Sequence, residues 1–239
     1  MSEALPKSQS IALRAIGSTL VVSALVTALS YGLPRDYAAT GVGLAFMLAT
    51  YWLALSRKDD AEVRASGLSL GGVLETTPIQ PVRLGKAFGR ALLWALGAAL
   101  VFFPPFVVGW LWWWKPSQAW GAAALPSLGQ EVLGEIAVIA LPEEAFFRGF
   151  LQSELDRAWT PRWRLLGAYV GPGLIVSSSL FALGHVATEL RPDRLAVFFP
   201  SLLFGWMRAR TGGIGAGVLF HAMCNLFAAY IAHSYGFGG

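Results

Sequence analysis

Leu141-Pro142-Glu143-Glu144-Ala145-Phe146-Phe147-Arg148-Gly149 sets two adjacent carboxylates and an arginine into a run that, Glu135 aside, is otherwise apolar from Val132 to Leu151. At the centre of a bilayer each such charge costs roughly 2.5–3.5 kcal/mol on insertion scales, so these side chains do not face acyl chains. They need a cavity, a partner or a chemical task. Phe181-Ala182-Leu183-Gly184-His185 and His221-Ala222-Met223-Cys224-Asn225 offer all three.

Outward from that stretch, the composition tells the same story. The 239 residues are 55% hydrophobic and 13% charged, with a mean hydropathy of +0.56, whereas a soluble domain carries about 25% charged residues. With several apolar runs of about 20 residues, this predicts an all-α fold, a polytopic transmembrane helical bundle of about seven spans (about 6–8). The net charge of +4 comes from lysines and arginines in short loops, which excludes a nucleic-acid partner and leaves the lipid bilayer as the surrounding phase. Ten tryptophans include Trp110, Trp112, Trp113 and Trp114, placed as an interfacial aromatic belt would place them. The single cysteine excludes an internal disulfide and a Cys-rich metal site.

The expected spans run from about Ala15 to Leu33, Ala38 to Leu55, Ala91 to Trp114, Leu128 to Leu155, Gly171 to Thr188, Leu195 to Met207, and from the Gly212–Gly217 turn to about Tyr235. A signal peptide cleaved near Ala28-Leu29-Ser30 competes with the first span, but the apolar run is long for a signal-peptide core. Residues 56–90 form the longest polar stretch and are expected to be a surface loop with an amphipathic section. Pro104-Pro105 should kink the third span, and a short loop with Lys115, Pro116 and Pro126 follows it. One integral membrane domain is expected overall: N-terminal transmembrane helices with the cytoplasmic loop over 1–127, and a catalytic helical core over 128–235. With the 56–90 loop in the cytoplasm and spans alternating, only Arg35, Lys115, Arg191 and Arg194 of the 18 basic residues fall outside. The positive-inside rule then puts the N-terminus in the cytoplasm and the C-terminus outside.

Each polar motif is an i, i+4 pair and presents one helix face. Glu144 and Arg148 can form an ion pair that offsets part of the cost of both charges. Glu143, about 100° round the helix, is left for another partner. Phe181 shares a face with His185, and His221 with Asn225. A bundle that brings these faces together surrounds one space with a carboxylate, two imidazoles, a carboxamide and a guanidinium. That set suits hydrolysis by an activated water: a carboxylate as general base, an imidazole to share the water and protonate the leaving amine, and a second imidazole with an amide N–H to stabilise an oxyanion. Counted at 1.5 Å per residue, Glu143 and His221 lie very roughly 16–21 Å from the inner basic loops. His185 reaches that depth only if 165–170 lies at the interface and its span starts at Gly171-Pro172-Gly173.

Glu143-Glu144-xxx-Arg148, Phe181-xxx-His185 and His221-xxx-Asn225, in that order on separate spans, resemble the CPBP family. That family includes CAAX prenyl endopeptidases of the Rce1 type and bacterial Abi-type proteins. The flanks Arg148-Gly149-Phe150-Leu151, Ser178-Ser179-Leu180-Phe181 and Arg210-Thr211-Gly212 are similar to it as well. The resemblance implies an intramembrane endopeptidase of the glutamic type. In it Glu143 and His185 activate water, His221 and Asn225 form the oxyanion site, and Glu144, Arg148 and Phe181 support them. It implies no cofactor; zinc held by Glu143, His185 and His221 is the less favoured alternative. The substrate would be a membrane-anchored or C-terminally tagged protein, and the compact length points to a bacterial inner (cell) membrane.

Plainer roles are assigned to the remaining polar residues. His233 reads as a helix strut, Cys224 as a small packing residue, and Ser177, Ser178 and Ser179 as aids to close helix packing. Glu131 and Glu135 either extend a polar cavity or lie near the interface, with the second favoured. A non-proteolytic membrane protein of the same fold, binding a partner in immunity or regulation, is the rival function. A proton-coupled transporter would predict an inverted repeat or paired broken helices, and none is visible.

Overall fold

The computed structural model describes residues 6–123 and 129–237. Pro126, the expected start of the fourth span at Leu128 and the 127/128 division lie outside the described residues. Apart from one short hairpin the described chain is helical, an all-α bundle.

Local chemistry sets most boundaries. Helix α1 (Lys7–Gly32) stops before Leu33-Pro34, and α2 (Arg35–Leu55) starts just after that proline, which cannot continue a helix from behind. The last turn of α2, Tyr51–Leu55, is π-helical. Helix α3 (Asp60–Ser66) opens with a capping box between Asp59 and Glu62 and closes on Gly67 at φ 80°, a left-handed cap that glycine takes without strain. Helix α4 (Pro81–Trp114) has proline at its start and runs on through Pro104-Pro105. Residues 56–90 are therefore a structured connector, and their last ten already belong to α4.

Helix α5 spans 131–158 and alternates α and π turns, with π-helix over Glu135–Ala140 and Ala145–Gln152. An unforeseen antiparallel hairpin follows, β1 (Trp163–Leu165) and β2 (Ala168–Val170), joined through Leu166 and Gly167 at positive φ, as a tight two-residue turn requires. Helix α6 (Pro172–Glu189) begins one residue after Gly171, where the depth count placed it. A 3₁₀ segment (Pro192–Val197) leads to α7 (Phe198–Thr211), and α8 (Gly215–Ser234) completes the described chain.

Among the described residues, α1, α2, α4 and α8 are long and apolar enough to cross a membrane. The most apolar window of α4 is only 6% buried, against 39% in α8. Leu93, Leu100, Val108 and Trp112 on α4 stand fully outward, which in an integral membrane protein is a lipid-facing surface. The other three expected spans are α5, α6 and α7, and α5 is enclosed by its neighbours from Glu144 to Ser153. Helix α5 packs on α1, α2, α6 and α8, and α6 lies against α1 and α7. At Gly43 of α2 a Cβ would collide with the Val138 carbonyl oxygen, so the absence of a side chain there lets α2 lie directly on α5.

The bundle has two distinct ends. At one, Arg208 reaches Asp156, Ser153 and the carbonyls of Ala65 and Ser66, while the Ile214 N–H donates to the Gly67 carbonyl. This basic end gathers α3, the tail of α5, the α7–α8 turn and the hairpin. At the far end the Tyr31 hydroxyl donates to the Ala187 carbonyl, Arg191 lies over Trp114, and Trp110 packs on Tyr235 and Phe237.

Candidate active site

All residues from Ala145 to Gln152 are buried, so the second π stretch of α5 is the centre of the bundle. A π turn departs from the 3.6-residue period and re-aims side chains, a feature common at functional sites. Glu143 and Glu144 sit between the two π stretches.

Glu144 is fully buried, and one of its oxygens carries its known bonds: Oε1 accepts from Arg148 Nη1 at 2.9 Å and from His221 Nδ1 at 3.0 Å. Arg148, also buried, donates from Nη2 to the Ser201 hydroxyl at 2.6 Å and to the Ser201 carbonyl at 3.2 Å. Its guanidinium lies 4.4 Å from the Phe181 ring centre and 5.2 Å from that of Phe204, so two aromatic faces help stabilise the buried cation. Glu144 fits because Gly217 faces it: a Cβ there would stand 3.2 Å from Glu144 Oε2. The i, i+4 pair expected from the spacing therefore forms, with Ser201 as its unforeseen third member.

His221 stacks on Phe204, ring centres 4.9 Å apart and 13° from parallel. With Nδ1–H donated to Glu144, its Nε2 points at Glu143, 3.8 Å from Oε2. Glu143, like Glu144, has an Oε2 with no hydrogen-bond partner among the described residues. It borders a cavity of about 260 Å³ between α1, α2, α5 and α6, which His185 and Phe181 also line. His185 Nδ1 lies 3.0 Å from the Phe181 carbonyl oxygen. A carbonyl can only accept, so Nδ1 carries the proton and Nε2 keeps its lone pair. Glu143 and His185 thus offer a carboxylate oxygen and an imidazole nitrogen to the same cavity, with His221 behind Glu143.

Asn225 is not among the residues lining that cavity. Its Nδ2 donates to Glu135 Oε2 at 3.0 Å, which gives Glu135 a specific partner. The other polar candidates keep their plain roles. Ser177 donates to the Phe147 carbonyl and ties α6 to α5, Ser179 bonds within its own helix, and His233 bonds the Ala229 carbonyl one turn back. Cys224 packs against the Phe204–Phe220 cluster. Among the described residues no group of three His, Cys, Asp or Glu side chains stands ready to hold a metal ion.

Sequence reasoning missed Ser201, Phe204 and the Glu135–Asn225 bond. The first two lie on α7, which carries no motif, and only packing brings them to α5. Glu135 offered a signal, a second carboxylate two turns before Glu143 in an apolar run.

Fold and site define an integral membrane protein whose helices enclose a charged polar cluster. Residues 125–227 match the family described as Type II CAAX prenyl endopeptidase Rce1-like, the relationship to which the three motifs point. The match covers α5 through most of α8 and includes all seven candidate residues. No curated protein and no solved structure matches the chain.

Proposed function

We propose that this protein is an intramembrane endopeptidase of the glutamic type, hydrolysing a peptide bond in a membrane-anchored or C-terminally tagged protein. The family match supports a protease acting at the membrane. The observation that carries the residue assignment is the shared cavity of Glu143 and His185, with His221 Nε2 directly behind the carboxylate.

In this mechanism Glu143 takes a proton from a water held between its carboxylate and His185 Nε2, and the water oxygen attacks the scissile carbonyl carbon. The oxyanion that forms is met by His221, whose Nε2 donates when protonated while Nδ1–H stays on Glu144. Asn225 lies outside the cavity lining and is held by Glu135; a carboxamide has two N–H bonds, and the second is the one it would offer to the oxyanion once substrate is bound. Collapse of the tetrahedral intermediate passes the proton on Glu143 to the leaving amine. Glu144 and Arg148 hold His221 in register, and no metal or cofactor is used. The proposed setting is a bacterial cell membrane, with the N-terminus cytoplasmic and the C-terminus external.

Purified Glu143→Gln, His185→Ala and His221→Ala proteins test this against a processed substrate. Each is expected to lose activity by about 10²–10⁴-fold, the usual contribution of positioned acid–base groups, and a chelator is expected to leave the parent activity unchanged. Wild-type processing by all three variants would overturn the assignment. Biological rescue by Glu143→Gln would instead favour a partner-binding protein of the same fold.

A further inference from the structure

We propose that the β1–β2 hairpin is a lipid-binding element: its apolar tip enters the bilayer surface, and Arg162 and Arg164 hold the phosphate of an anionic phospholipid. The site is independent of the proteolytic reading and of which leaflet the hairpin meets.

Helix α4 fixes the level. Trp94 and Trp114 stand about 30 Å apart along it at 1.5 Å per residue, and no residue between them is charged. That length matches the hydrocarbon core of a bilayer, with a tryptophan at each boundary. The hairpin is tied to the Trp94 boundary. Trp206 packs edge-on to Trp94, ring centres 5.6 Å apart, and donates from Nε1 to the Leu165 carbonyl at 2.9 Å. The Arg210 guanidinium lies 5.3 Å from the Trp94 ring centre, and a Cβ on Gly167 would stand 3.0 Å from Arg210 Nε. The hairpin therefore lies at the depth of the lipid headgroups.

Its side chains divide accordingly. Ala168 and Val170 are buried against Leu202, Trp206 and Ala209, whereas every residue from Arg162 to Gly167 is exposed, and Tyr169 with them. Arg164 stands opposite Tyr169, and Arg162, two residues earlier, is on the same face. Neither arginine forms an ion pair among the described residues. The closest acids in the chain, Asp156 and Glu154, are held by Arg208 and Arg157. Two guanidinium groups beside a tyrosine ring, with no protein carboxylate to meet them, suit a phosphate, which accepts paired N–H bonds from a guanidinium.

The turn points the same way. Leu166 and Gly167 have φ 45° and 80°, the successive left-handed conformations of a type I′ turn, where Asn-Gly is the favoured sequence. Leucine takes that conformation only with strain. Leu166 is 79% exposed, so packing within the protein does not offset the strain. With Trp163 and Leu165 beside it, Leu166 forms an apolar tip at headgroup depth, which the acyl boundary of the bilayer covers.

The test places an environment-sensitive fluorophore on Leu166→Cys in a Cys224→Ala background, in nanodiscs of phosphatidylcholine and phosphatidylglycerol. Nitroxide-bearing forms of the two lipids serve as quenchers. Both are expected to quench the label, and phosphatidylglycerol several-fold more at equal mole fraction, since each basic group near an anionic surface strengthens attraction about fivefold. Arg162→Gln with Arg164→Gln should bring the two lipids to parity, and Arg162→Lys with Arg164→Lys should keep the preference because the charge is kept. A label quenched by aqueous iodide and by neither lipid would overturn the proposal and leave the hairpin as a face for a protein partner. A phosphatidylglycerol preference that survives loss of both arginines would overturn the headgroup assignment.

Discussion

Two carboxylate–arginine clusters handle charge in opposite settings. In α5, Glu144 and Arg148 are 0% and 1% exposed, bonded to each other, to His221 and to Ser201. In the connector, Glu75 is as enclosed as Glu144, at 1% side-chain exposure, but its partners Arg64 and Arg83 are 49% and 39% exposed. The connector pairs share their charge with water and contribute little each. The α5 pair has no water to fall back on, so its value shows mainly when one partner is taken away. The difference teaches that similar residue pairs serve as a surface staple in one place and as an internal anchor for an imidazole in the other.

The largest expected effect breaks the α5 cluster. Glu144→Ala leaves a buried, unpaired guanidinium and is expected to cost about 3–5 kcal/mol, read as a lowered thermal midpoint in detergent. Replacing both charges with apolar groups, Glu144→Leu with Arg148→Met, should recover most of that stability while processing stays lost, because His221 no longer has an acceptor for Nδ1–H. If the double variant is as unstable as the single one, the anchor is structural in a way the ion pair does not explain.

Next comes Ser201→Ala, which removes the hydroxyl on Arg148 and should cost about 1.5–3 kcal/mol, the range for a hydrogen bond to a charged group. Glu135→Gln is expected to leave the thermal midpoint nearly unchanged and to reduce kcat more than KM, since it alters only the hold on the Asn225 amide; an unchanged kcat would separate Glu135 from the site.

The smallest effect belongs to the connector and is a pH dependence. The Arg83 guanidinium, then the Ser69 hydroxyl, hold the Glu75 carboxyl down at about 2 against an ordinary 4.5. A group depressed in the folded state stabilises it at neutral pH, and that contribution drains away as pH falls from about 4.5 towards 2. Glu75→Gln should flatten this acid limb of the unfolding curve; an unchanged limb would show that other carboxylates set it.

Much of this was legible in the chain. The i, i+4 spacing of Glu144 and Arg148 anticipated their bond, and the Gly171-Pro172-Gly173 run marked where α6 starts. Hydropathy anticipated α1, α2, α4 and α8, the four helices long and apolar enough to cross a membrane. It is a weaker guide to α5, α6 and α7, whose polar and small residues face other helices rather than lipid. The π turns of α5 had no counterpart in the pattern, because a hydrogen bond slipped by one residue depends on the neighbours that the widened turn packs against.

What residue order settled was the helical class, the membrane setting and which side chains share a face, since periodicity and hydropathy act within one segment. What only packing in three dimensions settled was which faces meet. The Glu144 carboxylate reaches His221 across 77 positions, Arg148 finds Ser201 across 53, and Asn225 turns to Glu135 across 90. Such pairings depend on where glycines such as Gly43 and Gly217 let helices close up, and no local rule carries that information.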